Sequence, residues 1–305
     1  MLAAVIDVGS NSVRLLLARS ADASGAEGER IVTVTGLRRG AAPDGAVTDG
    51  ALQRLDACLA DYAARIRAAG SPPVVAVGTA AVREAPNVGR IQAIAEHRLG
   101  APLMVISGRR EAGLSFAGAR LVLTGDAGPC RVIDIGGGST EVVEGDSGGP
   151  VRAVSLPLGV NRQGDMITTD PPGPADVAAV QAEARALVRD ATADFTGDGP
   201  LIGVAGTVTT VAAVMAGRYD PDRIHGMVIT RNHVAEVRDR LAGLDAAARA
   251  AVPGLHPDRV PVIVPGLAIL AGCMDALGAE DLVVSERDIL DGVAMQAADG
   301  SLRAE

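Results

Sequence analysis

One short phrase occurs twice in this chain, and the repetition narrows the available folds more than any other feature. Val5-Ile6-Asp7-Val8-Gly9-Ser10-Asn11-Ser12 returns as Val132-Ile133-Asp134-Ile135-Gly136-Gly137-Gly138-Ser139, which sets the two aspartates 127 positions apart. Each copy is an apolar run that ends in an acid and a tight turn. A second apolar run follows each turn, over 13–18 and 140–143, so both copies predict a β-hairpin rather than a strand-to-helix turn. Val74-Val75-Ala76-Val77-Gly78-Thr79 is likewise matched by Leu201-Ile202-Gly203-Val204-Ala205-Gly206-Thr207, with Gly78 and Gly206 128 positions apart. Two independent motifs in one order and at nearly one offset predict a duplicated domain.

The intervening sequence supports mixed α/β structure in both halves. Leu52, Leu55, Leu59 and Ile66 recur at helical spacing over 50–69, with Gly70 and Pro72-Pro73 beyond as stop signals. Helices are also predicted over 86–99, 109–120, 174–192, 234–241 and 262–277, and from 208 onward after a Gly206-Thr207 turn. Strands are predicted over 102–106, 201–204 and 282–285, and a turn at 125–129 precedes the second hairpin. The expected domains are therefore 1–124 and 125–305, each phosphate-binding, with the last helix free to pack back on the first. A chain of 305 residues suits two cores of about 150 residues, and a cleft between two domains is a common place for a ligand.

Composition removes several classes of function. A net charge of −9 disfavours broad adhesion to nucleic acid or anionic lipid. An anionic ligand therefore needs a local basic patch, and because the chain contains no lysine, arginine must supply it. Aromatic residues make up 1% of the chain and hydrophobic residues 48%, so the core is built from Ala, Val, Leu and Ile. Cys58, Cys130 and Cys273 are scattered, odd in number and without metal-ligand spacing, which suits buried packing in a reducing compartment. His97, His225, His233 and His256 also lack metal spacing and read as surface or structural groups. The amino-terminal stretch has no basic start and meets Asp7 early, unlike a signal peptide, and no apolar run is long enough to span a membrane. A cytoplasmic enzyme is the expectation.

A glycine-rich turn lets backbone amides approach an anion without obstruction, and successive N–H groups form an anion-binding concavity. Gly136-Gly137-Gly138-Ser139 is such a turn. Alone it reads as a structural hairpin; duplicated beside a duplicated Gly-Thr motif, it reads as part of a clamp around a phosphate chain. Phosphoryl transfer needs charge neutralisation, in-line geometry and a positioned water, and a divalent metal usually shares the first task. Asp134 and Glu141 flank the turn and are candidate oxygen ligands for Mg2+. Solvation explains Asp134 poorly, since it follows an apolar run and precedes glycines, whereas Glu141 also fits the exposed side of a strand.

With these residues assembled, the chain resembles the exopolyphosphatase/guanosine-pentaphosphate phosphatase (Ppx/GppA) family, in its short two-domain form, over nearly its whole length. The resemblance rests on DVGSNSVRLL at 7–16, GTAAVREAPN at 78–87, SGRREAGLSFAG at 107–118, DIGGGSTE at 134–141 and GVAGTVTT at 203–210. LPLGVNR at 156–162 and DPP at 170–172 also fit. It implies the actin/sugar-kinase/heat-shock ATPase superfamily fold, in which two duplicated ribonuclease H-like α/β domains flank a central cleft. It further implies a homodimeric enzyme that removes terminal phosphate from short inorganic polyphosphate and releases orthophosphate, with Mg2+ or Mn2+ as cofactor.

Carried over by motif, Glu111 is the general base or orients the attacking water, and Arg83 stabilises charge on the transferring phosphoryl group. Without the motif, Glu111 reads as a solvent-facing helix residue and Arg83 as a surface arginine. Asn11, Ser12, Thr79, Gly136, Gly137, Gly138, Ser139, Gly206 and Thr207 hold phosphates; Asp134 and Glu141 organise the metal, with Asp7 a weaker contributor. Guanosine pentaphosphate is the alternative substrate. An ATP-dependent kinase lacks any adenosine motif here, and retention of Glu111, Asp134 and Glu141 argues against a silent polyphosphate or alarmone sensor.

Three departures accompany the match. Arg110-Glu111 stands where many members have two glutamates, which is expected to alter metal affinity or pH optimum. SERDILDGV at 285–293 replaces Ser-x-x-Gly-Leu-Arg-Glu-Gly and loses a glycine and an arginine. The chain stops at Glu305 without the added His-Asp-type domain of longer members, which argues for shorter substrates.

Overall fold

The computed structural model describes residues 3–22, 25–39, 41–42, 44–123 and 128–302. Two compact units are present, one of Met1–Gly118 with Ile289–Glu305 and one of Ala119–Asp288. They are drawn differently from 1–124 and 125–305, because the last helix belongs with the first unit. The 124/125 boundary and turn residues Gly125, Asp126 and Ala127 lie outside the described residues.

The first unit runs β1 (Ala3–Val8), β2 (Ser12–Asp22), β3 (Gly25–Val34), α1 (Asp49–Ala68), β4 (Val74–Gly78), α2 (Ala80–Glu84), α3 (Val88–Leu99), β5 (Leu103–Val105) and α4 (Gly108–Ala119). Its sheet has the order β3-β2-β1-β4-β5. The first three strands pair antiparallel as a meander, while β4 and β5 continue parallel to β1. Side chains alternate as a strand requires. Ala4, Ile6, Val8, Val13, Leu15 and Leu17 face a core with Leu52, Leu55 and Leu59 of α1 and Ile91 of α3.

The second unit runs β6 (Cys130–Ile135), β7 (Thr140–Asp146), β8 (Gly149–Leu156), α5 (Pro174–Ala191), β9 (Leu201–Val204), α6 (Ala205–Ala216), α7 (Pro221–Ile224), β10 (Val228–Thr230), α8 (Arg231–Ala242), α9 (Ala246–Ala250), α10 (Ile263–Leu277) and β11 (Asp281–Val284). Its sheet has the order β10-β11-β9-β6-β7-β8. Read from its hairpin edge, β8-β7-β6-β9-β11 repeats the order and strand sense of the first sheet, and β10 is an added antiparallel edge. This is the duplicated α/β plan that the repeat predicts, in the arrangement that the family resemblance implies. One expectation is corrected: Gly206 and Thr207 lie in the first turn of α6 rather than in a turn before it. The entry is abrupt because Ala205 adopts a left-handed φ of 66°, so the chain passes from strand to helix without a spacer.

The final helix, α11 (Ile289–Ala298), covers the other face of the first sheet. Ile289, Leu290, Val293 and Ala294 pack with Val5, Leu16, Ala18 and Leu114. Leu290, at the position where the family pattern has arginine, is thus a core residue. Asp291 is fully buried and accepts from Arg30 Nη2 at 2.7 Å and Ala26 N at 3.3 Å. A Cβ on Gly292 would overlap the Leu114 carbonyl, so α11 approaches α4 at a distance only glycine permits.

Cys58, Cys130 and Cys273 are all buried, and desolvation pushes their thiols up, Cys273 to about 12. Thiols in that state pack rather than react. His233 closes a helix start, its Nδ1 accepting from Thr230 N at 3.2 Å. Among the described residues no helix is long and apolar enough to cross a membrane.

Candidate active site

In open α/β sheets, ligands gather beyond the carboxyl ends of parallel strands. The predicted residues of the first unit collect there, after β1, β4 and β5. Asp7 ends β1 and stands opposite Arg14 in the hairpin register, accepting from its Nε and Nη2 at 2.9 and 2.6 Å. A cation at Asp7 would therefore share its carboxylate with a guanidinium. Gly9 opens the turn, its N–H donating to Ser12 O at 3.0 Å. Asn11 is buried, with neither amide atom hydrogen-bonded, and Ser12 is half-buried. Thr79 caps α2 and lies against the end of β1, its N–H donating to Val8 O at 3.2 Å.

Arg83 and Glu111 meet. Arg83 Nη1 donates to Glu111 Oε2 at 3.0 Å and to Ile106 O at 2.8 Å. Glu111 occupies the first turn of α4, and its residue is 8% exposed, so the solvent-facing reading is corrected. The Arg83 guanidinium and the amino end of α4 both set positive charge beside this carboxylate. Arg110 turns instead to α11, donating to Gln296 Oε1 at 2.5 Å. It anchors the last helix.

The second unit places its predicted residues in the equivalent positions. Gly136 N donates to Ser139 O at 2.9 Å and closes the turn. The segment after β8 braces that turn from behind. Val160 N donates to Gly136 O at 3.1 Å, Asn161 N to Gly137 O at 2.9 Å, and Arg162 Nε to Gly138 O at 3.2 Å. No acceptor is found among the described residues for the N–H groups of Gly137, Gly138 and Ser139. Three carbonyls are tied back and three amides are left over, which is the arrangement of an anion cradle.

Gly159 is the pivot of this brace. A Cβ there would overlap the backbone of Gly137 and Gly138. Gly159→Ala is expected to destabilise the unit by about 1–3 kcal/mol through overpacking and to weaken phosphate binding in parallel. Thermal melts of both proteins with and without orthophosphate check this; an unchanged phosphate response would separate the brace from the cradle.

Gly206 and Thr207 enter the same end of the sheet, since β9 runs parallel to β6 with Val204 beside Asp134. Thr207 is buried and packs on Gly266, while a Cβ on Gly206 would overlap the Arg259 guanidinium. A guanidinium thus lies over the amino end of α6, a natural anion position. Arg259 and Arg162 are the site arginines that sequence reasoning missed. Arg162 was visible within LPLGVNR, but Arg259 stands in a short helical turn with no periodic signal.

The two hairpins differ at one decisive position. Asp134 faces Glu141 across β6 and β7, in the same register in which Asp7 faces Arg14. Asp134 and Glu141 are 7% and 2% exposed, and Glu141 Oε1 accepts from Ser155 Oγ at 2.7 Å. Like charges directly opposed in a sheet repel. The first copy settles its acid with an internal arginine; the second sets two acids together, a donor set that fits a hard cation. Among the described residues no group of three or more His, Cys, Asp or Glu side chains forms a metal cluster.

A model of the Ppx/GppA phosphatase family matches residues 29–300. The chain belongs to the Ppx/GppA phosphatase family. Exopolyphosphatase 2 of Mycobacterium tuberculosis is 35% identical over 318 residues, covering 97% of this chain and 98% of that protein. The crystal structure of an exopolyphosphatase-like protein is 29% identical with a TM-score of 0.88, covering 99% of this chain and 100% of that one. An exopolyphosphatase from Cytophaga hutchinsonii shares the fold, with a TM-score of 0.89 at 22% identity and 99% coverage of each chain. As a Ppx/GppA member with exopolyphosphatase relatives, the protein is a phosphoanhydride hydrolase.

Proposed function

We propose that this phosphoanhydride hydrolase is an exopolyphosphatase, taking terminal phosphate from inorganic polyphosphate, short chains included, with Mg2+ or Mn2+. The observation that carries the reading is the pairing, in one hairpin, of three unfilled amides with two facing carboxylates. The unfilled amides of Gly137, Gly138 and Ser139 lie in the turn that Asp134 and Glu141 bracket. Asp134 and Glu141 would hold the metal, which supplies charge neutralisation on the phosphate oxygens. The amides of 137–139, with Gly206 and Thr207 at the amino end of α6, orient phosphate groups by donating to their oxygens. Glu111 accepts the proton of the attacking water at its carboxylate, and Arg83 holds that carboxylate in orientation through its hydrogen bond.

The test is phosphate release from tripolyphosphate, longer polyphosphates and guanosine pentaphosphate, each with and without Mg2+. Stepwise orthophosphate release from the polyphosphates, faster than from the nucleotide, is expected. Preference for guanosine pentaphosphate would reassign the substrate, and release that is indifferent to divalent metal would remove the cation from the reading.

A further inference from the structure

Next to the first hairpin turn, Asn11, already expected to hold phosphate, stands among polar atoms that have been given no role. Segment 35–39 crosses the tip of that hairpin and is stitched to it. Thr35 N and Gly36 N donate to Asn11 O at 3.1 and 2.8 Å, and Arg38 N donates to Ser10 O at 3.1 Å. Arg54 of α1 fixes the same segment, its Nε donating to Thr35 O at 2.7 Å and its Nη2 to Gly36 O at 3.2 Å. The result is a rigid backbone frame.

Inside this frame two side chains are buried without partners. Asn11 and Thr35 are 4% and 2% exposed, yet both amide atoms of Asn11 and the Oγ1 of Thr35 have no hydrogen bond. Buried polar groups are nearly always satisfied, and an unsatisfied one carries its full desolvation cost. A polar ligand that completes these bonds accounts for their presence.

The neighbouring arginines give the sign of that ligand. Arg38 is paired with Glu84 at 2.7 Å, and Arg54 is committed to the two carbonyls. Arg39 is exposed, and although its N–H donates to Gly36 O at 2.9 Å, its side chain makes neither an ion pair nor a hydrogen bond among the described residues. Its side chain lies over Gly36, where a Cβ would come to 3.5 Å from Nε and 3.6 Å from Cζ. An uncommitted guanidinium beside Gly36, on the same short segment as the unfilled Thr35 hydroxyl and bonded through its backbone to Asn11, suits the oxygens of a phosphate group.

We propose that Asn11, Thr35 and Arg39 form a subsite for a phosphate group of the substrate other than the one being released, and so help to set which phosphate chains are accepted. The subsite rests on the polyphosphate reading. Arg39 and the Asn11 amide donate to phosphate oxygens, and the Thr35 hydroxyl completes the shell.

The experiment uses the full chain and two variants, Arg39→Ala and Thr35→Val, with tripolyphosphate and orthophosphate as calorimetric probes and tripolyphosphate as substrate. Arg39→Ala is expected to weaken tripolyphosphate binding about tenfold, with a larger change in KM than in kcat and little effect on orthophosphate. Thr35→Val is expected to weaken tripolyphosphate binding while raising the thermal midpoint, because it removes an unsatisfied hydroxyl. A purely structural threonine would move both in the same direction. If both variants bind tripolyphosphate as the wild type does, or the wild type does not bind it, the subsite is wrong. Binding that is lost in the variants of a protein that hydrolyses no polyphosphate would keep the subsite and sink the exopolyphosphatase reading instead.

Discussion

Glu111→Gln is expected to lower the rate of phosphate release by about 10²–10⁴-fold, the range for loss of a positioned general base, while leaving affinity for the phosphate chain nearly intact. The substitution keeps the shape of the side chain and an oxygen to accept from Arg83 Nη1, now at 3.0 Å. It removes the basicity that a water would need. Burial of Glu111 raises the stakes, because removing one partner of an enclosed ion pair leaves a poorly compensated charge. Arg83→Ala should therefore also reduce turnover, by leaving Glu111 without that partner. Steady-state kinetics together with calorimetric binding of tripolyphosphate separate the two effects. Undiminished turnover in Glu111→Gln would remove this residue from the chemistry.

Glu141→Arg should convert the second hairpin into an electrostatic copy of the first. Arg14 already occupies the corresponding place opposite Asp7, where it makes two hydrogen bonds to one carboxylate oxygen. An arginine opposite Asp134 would neutralise it from within and leave no site for a divalent cation. The variant is expected to fold, to show no Mg2+-dependent rise in thermal midpoint, and to lose about 10²–10³-fold in activity, the scale of removing one preorganised stabiliser of transition-state charge. Glu141→Gln, which keeps the contact with Ser155, controls for the larger side chain. A metal-dependent shift that persists in both variants would move the cation site elsewhere.

Legibility in the sequence followed the strength of the local signal. The β1-β2 and β6-β7 hairpins were readable because apolar alternation and a turn recur together, and α1 because its apolar residues keep helical spacing over five turns. Edge strands β3 and β8 were not, since GAEGERIVTV and GPVRAVSL mix charge, glycine and proline as edges tolerate. The early start of α6 was hidden by Ala205, a residue whose left-handed backbone no propensity anticipates. Among the site residues, the duplicated turns were visible from spacing alone. Glu111 was visible only through its motif, because the neighbours that bury it come from elsewhere in the chain. Asp7 and Asp134 look alike in the repeat, and only the residue seven positions on, Arg14 or Glu141, tells them apart.

The docking of α11 on the first sheet also orders events during synthesis. Domains usually complete themselves from the amino terminus onward as they are made. Here Val5 of β1 and the Arg30 guanidinium of β3 are completed by Ile289, Asp291 and Val293, which follow the whole of the second unit in the sequence. The residues of the second unit have all been translated by then, since that unit is contiguous from Ala119 to Asp288. The first unit is begun first and finished last, and Glu111 sits on the helix against which that final piece closes.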